Sequence, residues 1–196
     1  MDTADLPLFP LATVLFPGGD LVLRIFEARY LAMVGECSRR GIGFGVCLIL
    51  EGSEVGPPAM PAGVGCEALI RDFSSSDDGL LVLSVSGGRR FRVEHRRVRE
   101  DGLVSGDVRW LETVEDTLVR PEHQLLSLLL RRIVERAGPG HDPEDESRFN
   151  EAAWVGWRLA EWLPLTPMQR LRLLEESDPH ARLQQLVEVI PDYQSW

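Results

Sequence analysis

LPLFPLATVLFPGGDLVLRIFEARYLAMV, residues 6–34, is the stretch whose reading decides the fold. Two short apolar runs, Leu6–Phe9 and Thr13–Phe16, are punctuated by Pro7, Pro10, Pro17, Gly18 and Gly19. Proline donates no ladder hydrogen bond, so these runs are expected at sheet edges or strand ends. Asp20–Ile25 then alternates Leu21, Leu23 and Ile25 against Asp20, Val22 and Arg24, the period-two pattern of a half-buried strand. Phe26, Tyr30, Met33, Val34 and Cys37 recur at three- and four-residue spacing, which predicts a helix over residues 27–39 that ends before Gly41.

Outward from this segment the pattern stays extended. Gly43–Leu50 reads as a buried strand, Glu51–Pro61 as a loop, Val64–Asp72 as a strand and Ser74–Gly79 as a hairpin turn. Strands are expected at Leu80–Ser86 and Arg89–Val98, on either side of Gly87-Gly88, and at Leu103–Leu111. Closely spaced strands with turn signals between them point to a small barrel. Near Asp116 the periodicity becomes helical. Pro121–Arg136 places Leu125, Leu128, Leu129 and Ile133 on one face. GPGHDP at 138–143 breaks the pattern, and Glu144–Trp162 resumes it with Phe149, Ala153, Trp157 and Ala160. Thr166-Pro167 and Asp178-Pro179 each combine a capping side chain with proline at the first helical position, opening two more helices. The expected fold is therefore α+β, with a β subdomain at 1–117 and a helical bundle at 118–196.

The net charge of −10 is spread along the 196 residues. Nucleic acids and anionic membranes are bound through clustered cations that release counterions, so this balance argues against both. No apolar run approaches the roughly 20 residues that span a bilayer. The acidic start MDTADLPLFP lacks the basic region of a signal peptide, so a cytoplasmic location is expected. Cys37, Cys47 and Cys66 have no CxxC spacing and read as small buried residues. All 21 basic residues are arginine. A phosphate-binding P-loop, a Ser-Lys dyad and Schiff-base chemistry all require lysine, so none can be built from these residues. His95, His123, His141 and His180 are scattered without HExxH or zinc spacing. The acidic run Asp142–Glu146 lacks EF-hand spacing. No metal, cofactor or catalytic residue is expected.

Several motifs occur in a recognisable order. They are LPLFPL, VLFPGG and LRIFEARYLAMV between Leu6 and Val34, and FGVCLILEGSEVG from Phe44. GVGCEALI follows at 63–70, DGLLVLSVSGGRRFRV at 78–93 and GLVSGDVRWL at 102–111. The helical part adds WRLAEWLPL at 157–165 and LLEESDPHARLQQL at 173–186. Together they resemble the LON substrate-binding family, the N-terminal module of ATP-dependent Lon proteases, over nearly the whole sequence. The resemblance implies a PUA-like β pseudo-barrel with one embedded helix, followed by a four-helix bundle. It also implies a non-enzymatic module that binds polypeptide, with an ATP-dependent protease as a candidate partner. In Lon proteases this module precedes an ATPase and a Ser-Lys peptidase, and these residues contain the motif of neither.

The candidate site gathers Phe16, Arg24, Phe26, Glu27, Arg29 and Tyr30. Guanidinium groups can grip a carboxylate bidentately, and the aromatic rings can hold an apolar side chain of an extended, unfolded segment. Such a segment could also pair with an edge strand. The competing structural reading has Glu27 at the helix start, paired with Arg24 or Arg29 to lock the strand–helix junction. Phe9 and Phe16 divide in the same way between an exposed aromatic–proline surface and the core. RRFRVEHRRVR at 89–99 invites RNA binding through a PUA-like barrel, against a solvated strand face neutralised by nearby acids. A small-molecule enzyme or binder with a pocket between barrel and bundle is the remaining alternative.

Overall fold

Proline does not end the first strand. In the structure, a computed structural model that describes residues 3–112, 117–138 and 145–190, β1 runs unbroken over Thr3–Leu11. Its first half pairs antiparallel with one neighbour, Thr3↔Arg109 to Leu8↔Val104, and its second half parallel with another, Leu8↔Gly45 to Leu11↔Leu48. Each half thus keeps an open edge, and Pro7 and Pro10 sit where a missing N–H is tolerated.

The chain forms two compact units, Met1–Glu112 and Thr113–Trp196. In the first, β1 is followed by β2 (Asp20–Ile25), α1 (Ala28–Arg40), β3 (Phe44–Glu51), β4 (Met60–Ser75), β5 (Leu81–Val98) and β6 (Val104–Trp110). The strand order is β2-β5-β4-β3-β1-β6, and β5 also pairs with β6, which closes a five-stranded barrel. Among the described residues, β2 stays outside the ring, attached to β5 alone. The predicted PUA-like barrel with one embedded helix is present.

Further expectations in this unit are corrected. Thr13–Phe16 is not a strand but an irregular buried passage. The Gly19 N–H donates to the Phe16 carbonyl, the Gly18 N–H donates to Gly87, and the Gly87 N–H donates to Gly19. These bonds satisfy the turn without a ladder. The second correction follows from the same contact. Gly87-Gly88 does not separate two strands; β5 runs straight through it. A Cβ on Gly87 would collide with the Phe16 carbonyl, so glycine here permits backbone to lie on backbone.

The barrel interior is filled by Leu6, Leu8, Cys47, Phe91, Val104 and Val108. Phe91 takes the space left by two glycines. A Cβ on Gly45 or Gly65 would come within 2.6 or 2.5 Å of its Cζ. Trp110 meets Phe91 edge-on, with centroids 6.1 Å apart. α1 buries Arg29, Tyr30, Met33, Val34 and Cys37. It ends at Gly41 in the left-handed region (φ 63°), with the Ile42 N–H returning to Cys37. Phe26, predicted on the same buried face, precedes the helix and is 52% exposed.

The second unit holds α2 (Gln124–Ala137), α3 (Ala152–Trp162), α4 (Pro167–Glu175) and α5 (Pro179–Val189), with single 3₁₀ turns at Pro121–His123 and Glu146–Asn150. Both cap-then-proline signatures hold. Thr166 and Gln169 form a reciprocal capping box, and Asp178 accepts from the His180 and Ala181 N–H groups. The face of α2 is corrected. Leu126, Leu130 and Val134 are buried, while Leu125 and Leu128 are exposed. The predicted long helix ending at Trp162 is interrupted at Glu151, where an extended residue bridges to Leu118. The predicted break beyond Gly138 and the predicted helix start at Glu144 lie outside the described residues. Arg182 is nearly fully buried. It donates to the carbonyls of Leu173 and Glu176, and its guanidinium covers the Trp157 ring at 3.2 Å.

Two outcomes follow. Gly87→Ala destabilises the fold by about 2 kcal/mol or more, measurable by urea denaturation, because neither backbone can withdraw. The three free cysteines are buried. Burial pushes the Cys37 and Cys47 thiols up to about 11 and about 12, and pushes Cys66 up as well. At pH 8 a thiol reagent therefore labels none of them in the native protein and all of them in denaturant.

Candidate functional site

The open side of β2 borders a groove of about 390 Å³. Seven consecutive residues, Leu21–Glu27, line it, together with Phe9, Leu11 and Thr13 from β1 and its exit, Tyr30 from α1, and Glu54 and Val55 from the β3–β4 loop. A groove that touches both faces of a strand in unbroken sequence runs along that strand's edge.

The ladder shows which backbone groups meet it. The Gly87 N–H donates to the Gly19 carbonyl at 2.7 Å, and the register continues from Asp20↔Ser86 to Ile25↔Leu81. Hydrogen-bonded and non-hydrogen-bonded pairs alternate in an antiparallel ladder. Leu21, Leu23 and Ile25 therefore turn their backbone groups to β5, and Val22 and Arg24 turn theirs to the open edge. The side chains follow the pleat. Leu23 and Ile25 are buried, whereas Val22 is 64% exposed.

The floor is aromatic and aliphatic. Phe9 packs against Tyr30 with centroids 4.1 Å apart. Burial raises the Tyr30 phenol above its ordinary range, opposed by the Arg29 charge beside it. Tyr30 is thus a neutral wall at physiological pH. The rim carries exposed Val22, Phe26 and Val55. Exposed large apolar side chains thus cluster beside the unpaired edge of β2. Glu54 is engaged, accepting from the Ala12 N–H at 2.6 Å.

Arg29 holds the groove together from behind. Its side chain is 8% exposed and pairs with Glu27 at 2.9 Å. Its Nη2 donates to the Gly56 carbonyl at 2.8 Å and its Nη1 to the Gly102 carbonyl at 3.2 Å. Its guanidinium also lies 4.7 Å from the Tyr30 ring centroid.

The six candidate residues thus divide. Arg24, Phe26, Glu27 and Tyr30 line the groove. Phe16 is 1% exposed and belongs to the core. Arg29 stands behind the groove as the junction lock, in the manner of the competing structural reading. Arg24 is solvent-facing and pairs with Asp78 at 2.7 Å rather than with Glu27. The sequence reading did not place Leu11, Thr13, Leu21, Val22, Leu23, Ile25, Glu54 or Val55 in the site. Val55, an apolar residue inside a polar, turn-rich loop, was the available signal.

The arginine-rich strand is partly neutralised, with Arg92 and Arg96 exposed. Arg97 pairs with Asp5 and Asp107, Arg99 with Glu36 and Arg89 with Glu67, while the strand's own Glu94 is taken by Arg109 of β6. Arg90 is buried. A polyanion would have to displace these carboxylates, which lowers the counterion release that drives binding. The structure brings two of the scattered histidines together. The His123 and His180 rings stack with centroids 6.1 Å apart inside the helical unit, near Gln184 and Thr117. Among the described residues no group of three or more His, Cys, Asp or Glu side chains is placed to hold a metal ion. No described helix is long and apolar enough to cross a membrane.

Arg29→Ala lowers stability by about 2 kcal/mol in urea denaturation, because it removes a buried guanidinium from two part-buried carbonyls and half-buried Glu27. Arg24→Ala, which removes a solvent-exposed pair, leaves the midpoint essentially unchanged.

Known proteins share this architecture. The family model described as the ATP-dependent protease La (LON) substrate-binding domain matches residues 5–192. A crystal structure described as a Lon N-terminal domain protein from Xanthomonas campestris is 50% identical, with a TM-score of 0.81 over 94% of this chain and 98% of that one. The N-terminal domain of Mycobacterium avium complex Lon protease is 18% identical, with a TM-score of 0.71 over 97% of this chain and 100% of that one. At that identity the likeness speaks to the fold alone.

Proposed function

Because the chain belongs to the LON substrate-binding domain family, we propose that it is a non-enzymatic module that binds extended polypeptide segments in the groove along β2. The observation that carries this reading is the coincidence of an open strand edge, an apolar floor and an apolar rim in one groove. An unfolded segment presents what the groove lacks: unpaired backbone for the N–H and C=O groups of Val22 and Arg24, and alternate side chains for the floor. This is β-strand addition, in which main-chain bonds supply affinity and side-chain pockets supply selectivity.

The charged side chains of the groove are already engaged, Glu54 by the Ala12 N–H. Arg24 and Glu27 are each held by an ion pair, and Tyr30 is neutral. In this reading the chain uses no cofactor, performs no reaction and presents clients to an ATP-dependent protease in the cytoplasm. Arg24, Phe26, Glu27 and Tyr30 contact the client, and Arg29 positions Tyr30 and Glu27.

Fluorescence anisotropy with labelled, permanently unfolded apolar peptides tests this directly. Saturable micromolar binding is expected. Phe26→Asp or Val55→Asp weakens it at least tenfold, and Arg96→Ala, outside the groove, leaves it unchanged. No binding to any of a diverse peptide set at high micromolar protein, or equal binding by the Phe26 and Val55 variants, overturns the proposal.

A further inference from the structure

The open edge has a second natural occupant, and its sequence names it. β2 reads Asp20-Leu21-Val22-Leu23-Arg24-Ile25. Folded about Val22, the first five residues are complementary to themselves. An acidic residue stands two positions before the centre and a basic one two positions after, with leucine on both sides. An antiparallel pair formed across a two-fold axis at Val22 sets Val22 opposite the partner's Val22, Asp20 opposite the partner's Arg24, and Leu21 opposite the partner's Leu23.

The hydrogen-bond phase of the strand agrees with this register. A residue on the two-fold axis of such a pair must either exchange both backbone bonds with its copy or none. Val22 is one of the residues whose backbone groups face outward, as established from the Gly87–Gly19 bond and the β2–β5 register. An axis at Val22 therefore gives two bonds at the centre, and two more at each Asp20–Arg24 pair. A shift by one residue would put Leu21 or Leu23 on the axis, and their N–H and C=O groups are already used by β5.

Both faces of the pair are matched as well. On the outer face, exposed Val22 gains an apolar partner, and Asp20 meets a guanidinium. Arg24 uses Nη2 on Asp78 and keeps its other donors for a second carboxylate. On the inner face the leucines meet across the edge. Cross-strand pairs of opposite charge and of apolar type are the ones that stabilise antiparallel pairing.

We propose that β2 is a self-docking edge: two copies of the chain associate through antiparallel β2–β2 pairing centred on Val22. The contact covers the same edge that the groove offers to polypeptide, so self-association and client binding exclude each other. A six-residue strand buries much less than the roughly 1,200 Å² of a stable interface, so the dimer is weak and reversible.

Sedimentation velocity of the full chain without any peptide, from about 10 μM to about 1 mM to bracket a small interface, reads it out. A concentration-dependent monomer–dimer equilibrium is expected. Asp20→Arg alone leaves two arginines facing two arginines, and Arg24→Asp alone faces acid with acid. Each variant self-associates at least tenfold more weakly than the parent. Mixed in equal amounts, the two variants regain association, because every cross-strand pair in the heterodimer is again of opposite charge. Val22→Pro, which removes the central edge N–H without touching the β5 ladder, abolishes association in all backgrounds. Circular dichroism confirms that each variant is folded. A parent that stays monomeric at 1 mM, single variants that associate like the parent, or a mixture no better than its components overturns the proposal. Peptide binding is read separately, through Phe26 and Val55 at protein concentrations where the chain is monomeric, so failure of one proposal is distinguishable from failure of the other.

Discussion

One buried guanidinium sets the shape of the groove. Arg29 is carried on the first turn of α1, yet its donors reach the β3–β4 loop at Gly56 and the β5–β6 loop at Gly102, while its charge is balanced by Glu27 at the β2–α1 junction. Three connections far apart in sequence are thereby fixed to one planar group. A buried charge of this kind is costly unless every partner is in place, so it tolerates few alternative arrangements. The consequence is local and functional. Gly56 fixes the loop that carries Val55, Glu27 fixes the end of β2, and the guanidinium backs Tyr30. Rim, edge and floor are set by the same side chain.

The barrel supplies the other half of the explanation. β5 is long enough to serve two partners on one side, β2 along its first part and β6 along its last. The switch occurs around Gly87-Gly88, where the strand also lies against the Phe16 backbone. Ring closure therefore uses β6, and β2 is left outside with an unmatched edge. Natural sheets usually protect such an edge with charge, proline or a covering loop. Here Asp20 and Arg24 flank Val22, but Val22 itself is bare. An edge guarded at its flanks and apolar at its centre suits reversible pairing better than it suits exclusion.

How much of this was legible follows from how local each signal is. The alternation of Asp20–Ile25, the heptad-like face of α1 and the caps at Thr166 and Asp178 depend on neighbours within a few residues, and they could be read directly. The passage Thr13–Phe16 looked like a strand because it is apolar, but its burial comes from β5 across the fold. Gly87-Gly88 looked like a break because glycine usually is one; only the proximity of Phe16 makes it a continuation. On α2 the spacing of Leu125 and Leu128 is as helical as that of Leu126 and Leu130, and periodicity alone does not choose between faces. The site divided in the same way. Phe26 and Tyr30 were legible as an aromatic pair near a strand–helix junction. Arg29 and Arg24 are the same residue type five positions apart, and nothing local separates the lock from the rim. The partners that do so, Gly56, Gly102 and Asp78, are 27 to 73 residues distant.

An edge that recognises backbone selects by conformation rather than by sequence. In a folded protein nearly every main-chain N–H and C=O is already paired, and a strand interior cannot be offered to a second sheet. An unfolded segment has its backbone free and can supply it at any position with apolar residues two apart. On the proposed reading, this gives the module a way to distinguish unfolded from folded chains without reading a motif, since the groups on Val22 and Arg24 ask only for an unpaired extended strand. The apolar floor then sets a threshold, because a polar segment would bury nothing against Phe9 and Tyr30 in return for its lost freedom. On the proposed reading, broad specificity with rejection of native proteins is the combination that follows from an open edge beside an apolar floor.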